Sequence, residues 1–259
     1  KDEAWFPGLE YLFGFGNLVF GDSVHYEFQI PKKSFMKYVS ENDGSPMSAI
    51  AAMMAKALYR ALPKNKLPLR IETNHNYRAE VACPKTHHDL LSHIFLLIPY
   101  RAKDWPIDKI CTVIRGSTYL QSQPEYGYET LRRFYTYTDG VDQVKGLKNK
   151  NKYASKYSHR VPEVHNSVLI NYTGREDWGE MTEYVERVHV ITDAHLLFEI
   201  LDVGENFCIS LMQMNRKKKY MDCFFQILEE EQIPYKIHGV FKNHLPISKV
   251  ESAPVVQKS

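Results

Sequence analysis

The histidines, cysteines and lysines of this sequence are its first candidates for chemistry. His75, His87, His88 and His93 bring four imidazoles into one stretch. Their spacing fits no zinc pattern and no cysteine or carboxylate completes a set, so turn and surface positions are expected. Cys83 precedes Pro84 with no neighbouring base to activate it. The chain is basic from Lys145 to Arg160, and Lys148, Lys150 and Lys152 are candidates for holding phosphate by charge. The plainer expectation for them is a solvated, mobile loop. Lys217, Lys218 and Lys219 stand at a helix start, where the macrodipole disfavours cations. They read as an exposed charge run, with a binding surface as the alternative. The glycines of WFPGLEYLFGFGNLVFG (residues 5–21) lack the strand–turn–helix setting of a dinucleotide fingerprint, so 1–23 reads as a hydrophobic arm.

The stretch Ser45 to Arg78 positions the polar residues that most need a reason. Ser45 can cap a helix and Pro46 fits its first turn. Met47, Ile50, Met54, Ala57, Leu58 and Ala61 recur at helical spacing, and Ala49, Ala51, Ala52 and Ala55 keep the other faces slim. Beyond Pro63, Leu67, Leu69, Ile71 and Thr73 alternate with Arg70, Glu72, Asn74 and Asn76. That is a strand covered by helices on one side and polar on the other. Asn74, Asn76 and Arg78 are therefore expected to line a groove or an interface.

The 259 residues carry a net charge of +2 and are 44% hydrophobic, ample for a core. The balanced charge argues against an obligate nucleic-acid binder, and 13% aromatic residues argue against disorder. Cys83, Cys111, Cys208 and Cys223 show no CxxC spacing, and reduced thiols are expected. No apolar run is long enough to span a bilayer and no signal peptide is recognised, so no membrane partner and a cytoplasmic setting are expected. The sequence does not begin with Met, which reads as a trimmed or excised piece of a longer chain.

Along the chain, residues 24–30 alternate as a strand, and Pro31 to Val39 forms a short amphipathic helix. Residues 92–100 are apolar on both faces, which predicts a central strand. Helices are expected over 105–122 and 126–138, the second burying its Tyr and Phe side, with residues 139–160 least structured. His165 to Tyr172, Val185 to Ile191, Leu196 to Leu201 and Asn206 to Met214 read as strands. The Thr173-Gly174 and Gly204-Glu205 pairs read as turns. Residues 216–231 form a closing helix with Met221, Phe224, Phe225 and Leu228 inward, and the tail after Phe241 is frayed. The fold class is α/β: a mixed sheet with helices on one face, two layers, over residues 24–241, with 242–259 as tail.

This order of elements resembles the C-terminal half of a condensation-type domain of the chloramphenicol-acetyltransferase-like superfamily, which includes alcohol acetyltransferases. The segments that carry it are VHYEFQIPKKSFMKYVSENDGSPMSAIAAMMAKALYRAL, LPLRIETNHNYRAEVACPKTHHDLLSHIFLLIPY, SVLINYTG and LLFEILDVGENFCISLMQMNRKKKYMDCFFQIL. Asn76-Tyr77-Arg78 matches the Asn-x-Arg-like strand end of such domains. The resemblance implies acyl transfer from a coenzyme A thioester or a phosphopantetheine carrier to an alcohol or amine, with no tightly bound cofactor. It implies as partners an N-terminal half carrying HHxxxDG, or self-association, and an acyl-carrier protein. The second His of that motif is the family's general base, which must reach the proton it takes. No HHxxxDG occurs here: His87-His88 has the paired histidines, but Ser92 and His93 stand where Asp and Gly belong. The nearest shorter match is His189 to Asp193, HVITD, with Ala194 in place of Gly. In single-half transferases the motif is followed by one helix, whereas here two further strands are expected. His189 is therefore expected to be structural. The alternatives are a non-catalytic recruitment module and a complete trimeric transferase using His189 and Asp193.

Overall fold

A helix with almost no exposed face sets the architecture. In the computed structural model, which describes residues 24–87, 90–158, 168–175, 178–190, 196–213, 219–242 and 245–246, α2 is Pro46–Ala61. Ser45 caps it: its hydroxyl accepts Ser48 N–H while Ser48 reaches back to Ser45 N–H. Ala49, Ala51, Ala52, Ala55 and Ala57 are all buried, and small side chains let α2 lie close to its neighbours. Preceding it are β1 (Val24–Pro31) and α1 (Lys32–Glu41). After it come β2 (Leu69–Asn76), β3 (Leu91–Ile98), α3 (Ile107–Gln121), α4 (Pro124–Gln143) and α5 (Leu147–Ser158). The chain then forms β4 (Val168–Arg175), β5 (Leu196–Val203), β6 (Asn206–Gln213), α6 (Lys219–Glu230), β7 (Lys236–Lys242) and β8 (Leu245–Pro246).

The eight strands make one mixed sheet in the order β3-β2-β4-β5-β6-β1-β7-β8. The pairs β2–β4 and β4–β5 are parallel, and the others antiparallel. Helices α2, α3 and α6 cover one face. There Phe28, Ile71, Ile94, Phe198 and Ile209 of the sheet meet Met54, Ile110 and Phe224 of the helices. This two-layer α/β sheet is the architecture the periodicities require. All four cysteines are free, three of them buried. No helix among the described residues is long and apolar enough to cross a membrane.

Several elements differ from expectation. The doubly apolar β3 is an edge strand, and Leu91 and Leu97 stand about half exposed on the face without helices. A run apolar on both sides records what a strand can bury, not whether this chain covers it. Beside β3, the Gln121 side chain acts as a surrogate strand. Its Oε1 accepts Phe95 N–H at 2.9 Å and its Nε2 donates to Phe95 O at 2.8 Å, blunting part of an open edge. Helix α4 runs on to Gln143 and α5 follows, so residues 139–143 and 147–158 are helical, not loop. The aromatic stripe of α4 is outward: Tyr128, Phe134 and Tyr135 are exposed, and only Gly127 and Leu131 are buried. Residues 185–190 join no strand ladder. Gly174, with φ +80°, sits at a bulge inside β4 instead of ending it. Strand β7 was not expected, and it carries the sheet past Phe241 to Lys242 and β8. The arm at 1–23 lies outside the described residues.

Candidate functional site

The face of the sheet opposite the helices carries the polar groups. Glu27, Ser210, Glu199 and Asn171 each interrupt an apolar strand at its middle, and the register turns these interruptions into a row. Glu27 pairs with Ser210, Ser210 with Glu199, and Glu199 with Asn171. The row crosses four adjacent strands. Asn171 Nδ2 donates to both Glu199 oxygens, at 3.2 and 3.0 Å. Burial pushes the Glu199 carboxyl above its usual range against those hydrogen bonds. Burial likewise raises Glu27, opposed by the nearby Arg187 guanidinium. Two half-buried carboxylates held towards protonation can bind a hydroxyl or an amine, and groups perturbed in this way cluster at working sites.

Residues 185–190 lie across this face as a strap. Val185, Val188 and Val190 pack on Leu201, Val203 and Cys208. Val190 N–H donates to Ser210 Oγ at 2.9 Å, His189 Nδ1 lies 3.3 Å from the same oxygen, and Gln29 Nε2 donates to Glu186 O at 3.2 Å. Burial, with His238, His25 and Arg187 close by, pushes the His189 imidazole down to about 4. Its Nε2 is shielded from solvent and has no hydrogen-bond partner among the described residues. A general base needs reach to a substrate proton, and Nε2 as placed is shut away from one.

Asn76 and Arg78, expected from the sequence at one groove or interface, are held together in the structure. Asn76 Oδ1 accepts Arg78 N–H and an Arg78 guanidinium N–H, both at 3.1 Å, and Arg78 Nε donates to Thr86 O at 3.2 Å. These residues order the β2–β3 connection. Asn74 is half-buried at the end of β2, which β4 and β5 separate from β6 and His189. The earlier part of the polar β2 face is covered: the Arg70 guanidinium lies 4.0 Å over the Phe95 ring, and Glu72 pairs with His93. Asp193 lies outside the described residues. Lys148 and Lys152 share an exposed face of α5, whereas Lys150 lies off it and pairs with Asp142 at 3.2 Å. Of the weighed histidines, His75 pairs with Glu80 at 2.9 Å. No cluster that could hold a metal ion occurs among the described residues. Sequence reasoning missed Glu27, Glu199, Ser210, Arg187 and His238. For Glu27, Glu199 and Ser210 the one signal was a polar residue in the middle of a strand.

The fold is that of known acyl-transferring enzymes. The trichothecene 15-O-acetyltransferase TRI3 of Fusarium sporotrichioides superposes with a TM-score of 0.54 at 11% identity, over 82% of this chain and 46% of its own. TRI101 of F. sporotrichioides, complexed with coenzyme A and T-2, gives 0.52 at 12%, over 84% and 52%. A condensation domain mediating chain release from the enacyloxin polyketide synthase gives 0.50 at 10%, over 89% and 42%. The chain thus spans about half the length of these three structures. No family model matches the sequence, and no curated protein does.

Proposed function

We propose that this chain is one half of an acyl-transfer domain, forming the acceptor-side wall for transfer from a coenzyme A thioester or a carrier-bound phosphopantetheine to an alcohol or amine. The observation that carries this reading is the fold shared with acyltransferases and a condensation domain over most of this chain but only about half of theirs. The sequence contains no HHxxxDG, so in this reading a second half supplies the basic histidine. Glu199 and Glu27 on the open face orient the acceptor, His189 holds the strap, and no cofactor stays tightly bound. Asn74, Asn76 and Arg78 border the junction between the halves. The domain occupies 24–241, with 1–23 as an arm and 242–259 as a tail, in a cytoplasmic setting.

A recruitment module without chemistry of its own is the second reading. The exposed aromatic face of α4 supports it, because Tyr128, Phe134 and Tyr135 offer area to a partner such as a carrier protein. Thiol release from a panel of acyl-coenzyme A donors, with alcohol and amine acceptors, separates the two. Turnover only when a half carrying HHxxxDG is supplied supports acyl transfer. Binding of a carrier protein without turnover under any combination supports recruitment.

A further inference from the structure

We propose that the cleft beside the β5–β6 turn binds a phosphate monoester through Arg187, Lys236 and His238. The cleft has a volume of about 440 Å³, and the strap, the β5–β6 turn and β7 wall it. Arg187 enters from the strap, and Lys236 and His238 come from β7; Gln29 of β1 also lines it.

Several cations outside the cleft are held by carboxylates. Lys32 is held by both Asp202 oxygens at 2.8 and 2.6 Å, and Arg60 by both Glu230 oxygens at 2.8 Å. Arg115 is held by Asp43. Among the described residues, neither Arg187 nor Lys236 has such a carboxylate partner. Arg187 feels the Glu27 carboxylate from beyond ion-pair distance, so it and Lys236, with an imidazole beside them, can bind one anion without first breaking an ion pair.

His238 is oriented to contribute. Gln29 Nε2 donates to Glu186 O, which fixes the amide and turns Oε1 towards His238. An amide oxygen only accepts, so the 2.7 Å contact places the proton on His238 Nε2. Its Nδ1 can then take a second proton when negative charge arrives. Burial first, and then Arg187 and Lys236, hold the imidazole below its ordinary value. An anion between the three groups offsets that repulsion.

The cleft also contains Glu186 and Glu205. Their carboxylates disfavour a bare, highly charged ion and offer acceptors to hydroxyl groups. A phosphate monoester bearing hydroxyls satisfies both sets of groups, whereas a simple carboxylate carries a single charge and no hydroxyl to meet the glutamates.

This site is independent of the acyl-transfer reading and is tested by binding alone. Glycerol phosphate, inorganic phosphate and acetate are titrated at constant ionic strength against the full chain, with calorimetry and the His238 ring resonances as readouts. Saturable binding of glycerol phosphate, tighter than inorganic phosphate, with acetate inert, is the expected result. Arg187→Ala and Lys236→Ala each weaken it by about tenfold or more, the loss expected for one charge-assisted hydrogen bond, and Lys64→Ala, at an exposed position away from the cleft, leaves it unchanged. Both cleft positions are exposed, so thermal unfolding confirms that the variants are folded; if one is not, the other still decides. No saturation by about 10 mM, equal binding of acetate, or wild-type affinity in folded Arg187→Ala or Lys236→Ala overturns the proposal.

Discussion

Ser210 Oγ holds His189 and its chain neighbour together: it accepts Val190 N–H at 2.9 Å and lies 3.3 Å from His189 Nδ1. Ser210 is fully buried in the centre of β6, so this oxygen pins the strap to the sheet from below. Folded protein keeps the His189 imidazole neutral, with its pKa near 4, whereas unfolded chain binds the proton at an ordinary value near 6.5. The stability this provides is full above pH 6.5 and is lost as pH falls from 6.5 towards 4, because the unfolded state then binds more protons. Urea unfolding at stepped pH checks this. Wild type loses on the order of 1 kcal/mol more than His189→Gln across that window, after allowance for partial exposure. Equal slopes for the two proteins contradict it.

Ala55, 1% exposed in the middle of α2, has no room for a larger side chain. Ala55→Phe overpacks the helix and destabilises the fold by about 1–3 kcal/mol. A urea midpoint equal to wild type rules out this packing.

Gly127 gives α4 its seat on Tyr77. A Cβ there would meet the ring at Cε1 (2.7 Å) and Cγ (2.9 Å), and Tyr77 is completely buried. Tyr77 Oη also donates to Gln121 O, so the ring cannot swing away without losing that bond. Gly127→Ala gains helix propensity of about 1 kcal/mol but lifts α4. The expected result is faster proteolysis within 124–143 with nearly unchanged urea stability. Unchanged proteolysis shows that the ring yields.

Leu91 and Leu97, about half exposed on edge strand β3, leave apolar area open on the helix-free face. Concentration-dependent self-association is expected in light scattering, and Leu97→Lys reduces it by placing a charge on the edge. A strict monomer at high concentration counts against an interface there.

The sequence made some of these elements plain and concealed others for identifiable reasons. Helix α2 was readable because Ser45, Pro46 and the alanine pattern agree on one element, and the β5–β6 hairpin because Gly204, at φ +55°, supplies its turn. Helix α5 was hidden because Lys148 to Lys152 alternate lysine and asparagine with no apolar stripe to bury. The strap read as a strand because Val185, Val188 and Val190 are β-formers, yet side chains such as Ser210, not a neighbouring strand, meet its backbone. The Asn171–Glu199–Ser210–Glu27 row was invisible because strand order and register, which no single segment encodes, bring its members together.

Thiol release by the chain with and without a supplied HHxxxDG-bearing half is the most direct test of the half-domain reading. The account predicts no turnover by the chain alone and turnover when the second half is present. It further predicts that His189→Ala changes the complete system by no more than a few-fold, since loss of a true general base costs about 10²–10⁴-fold. Turnover by the isolated chain that disappears in His189→Ala contradicts the account and identifies a complete transferase built on His189.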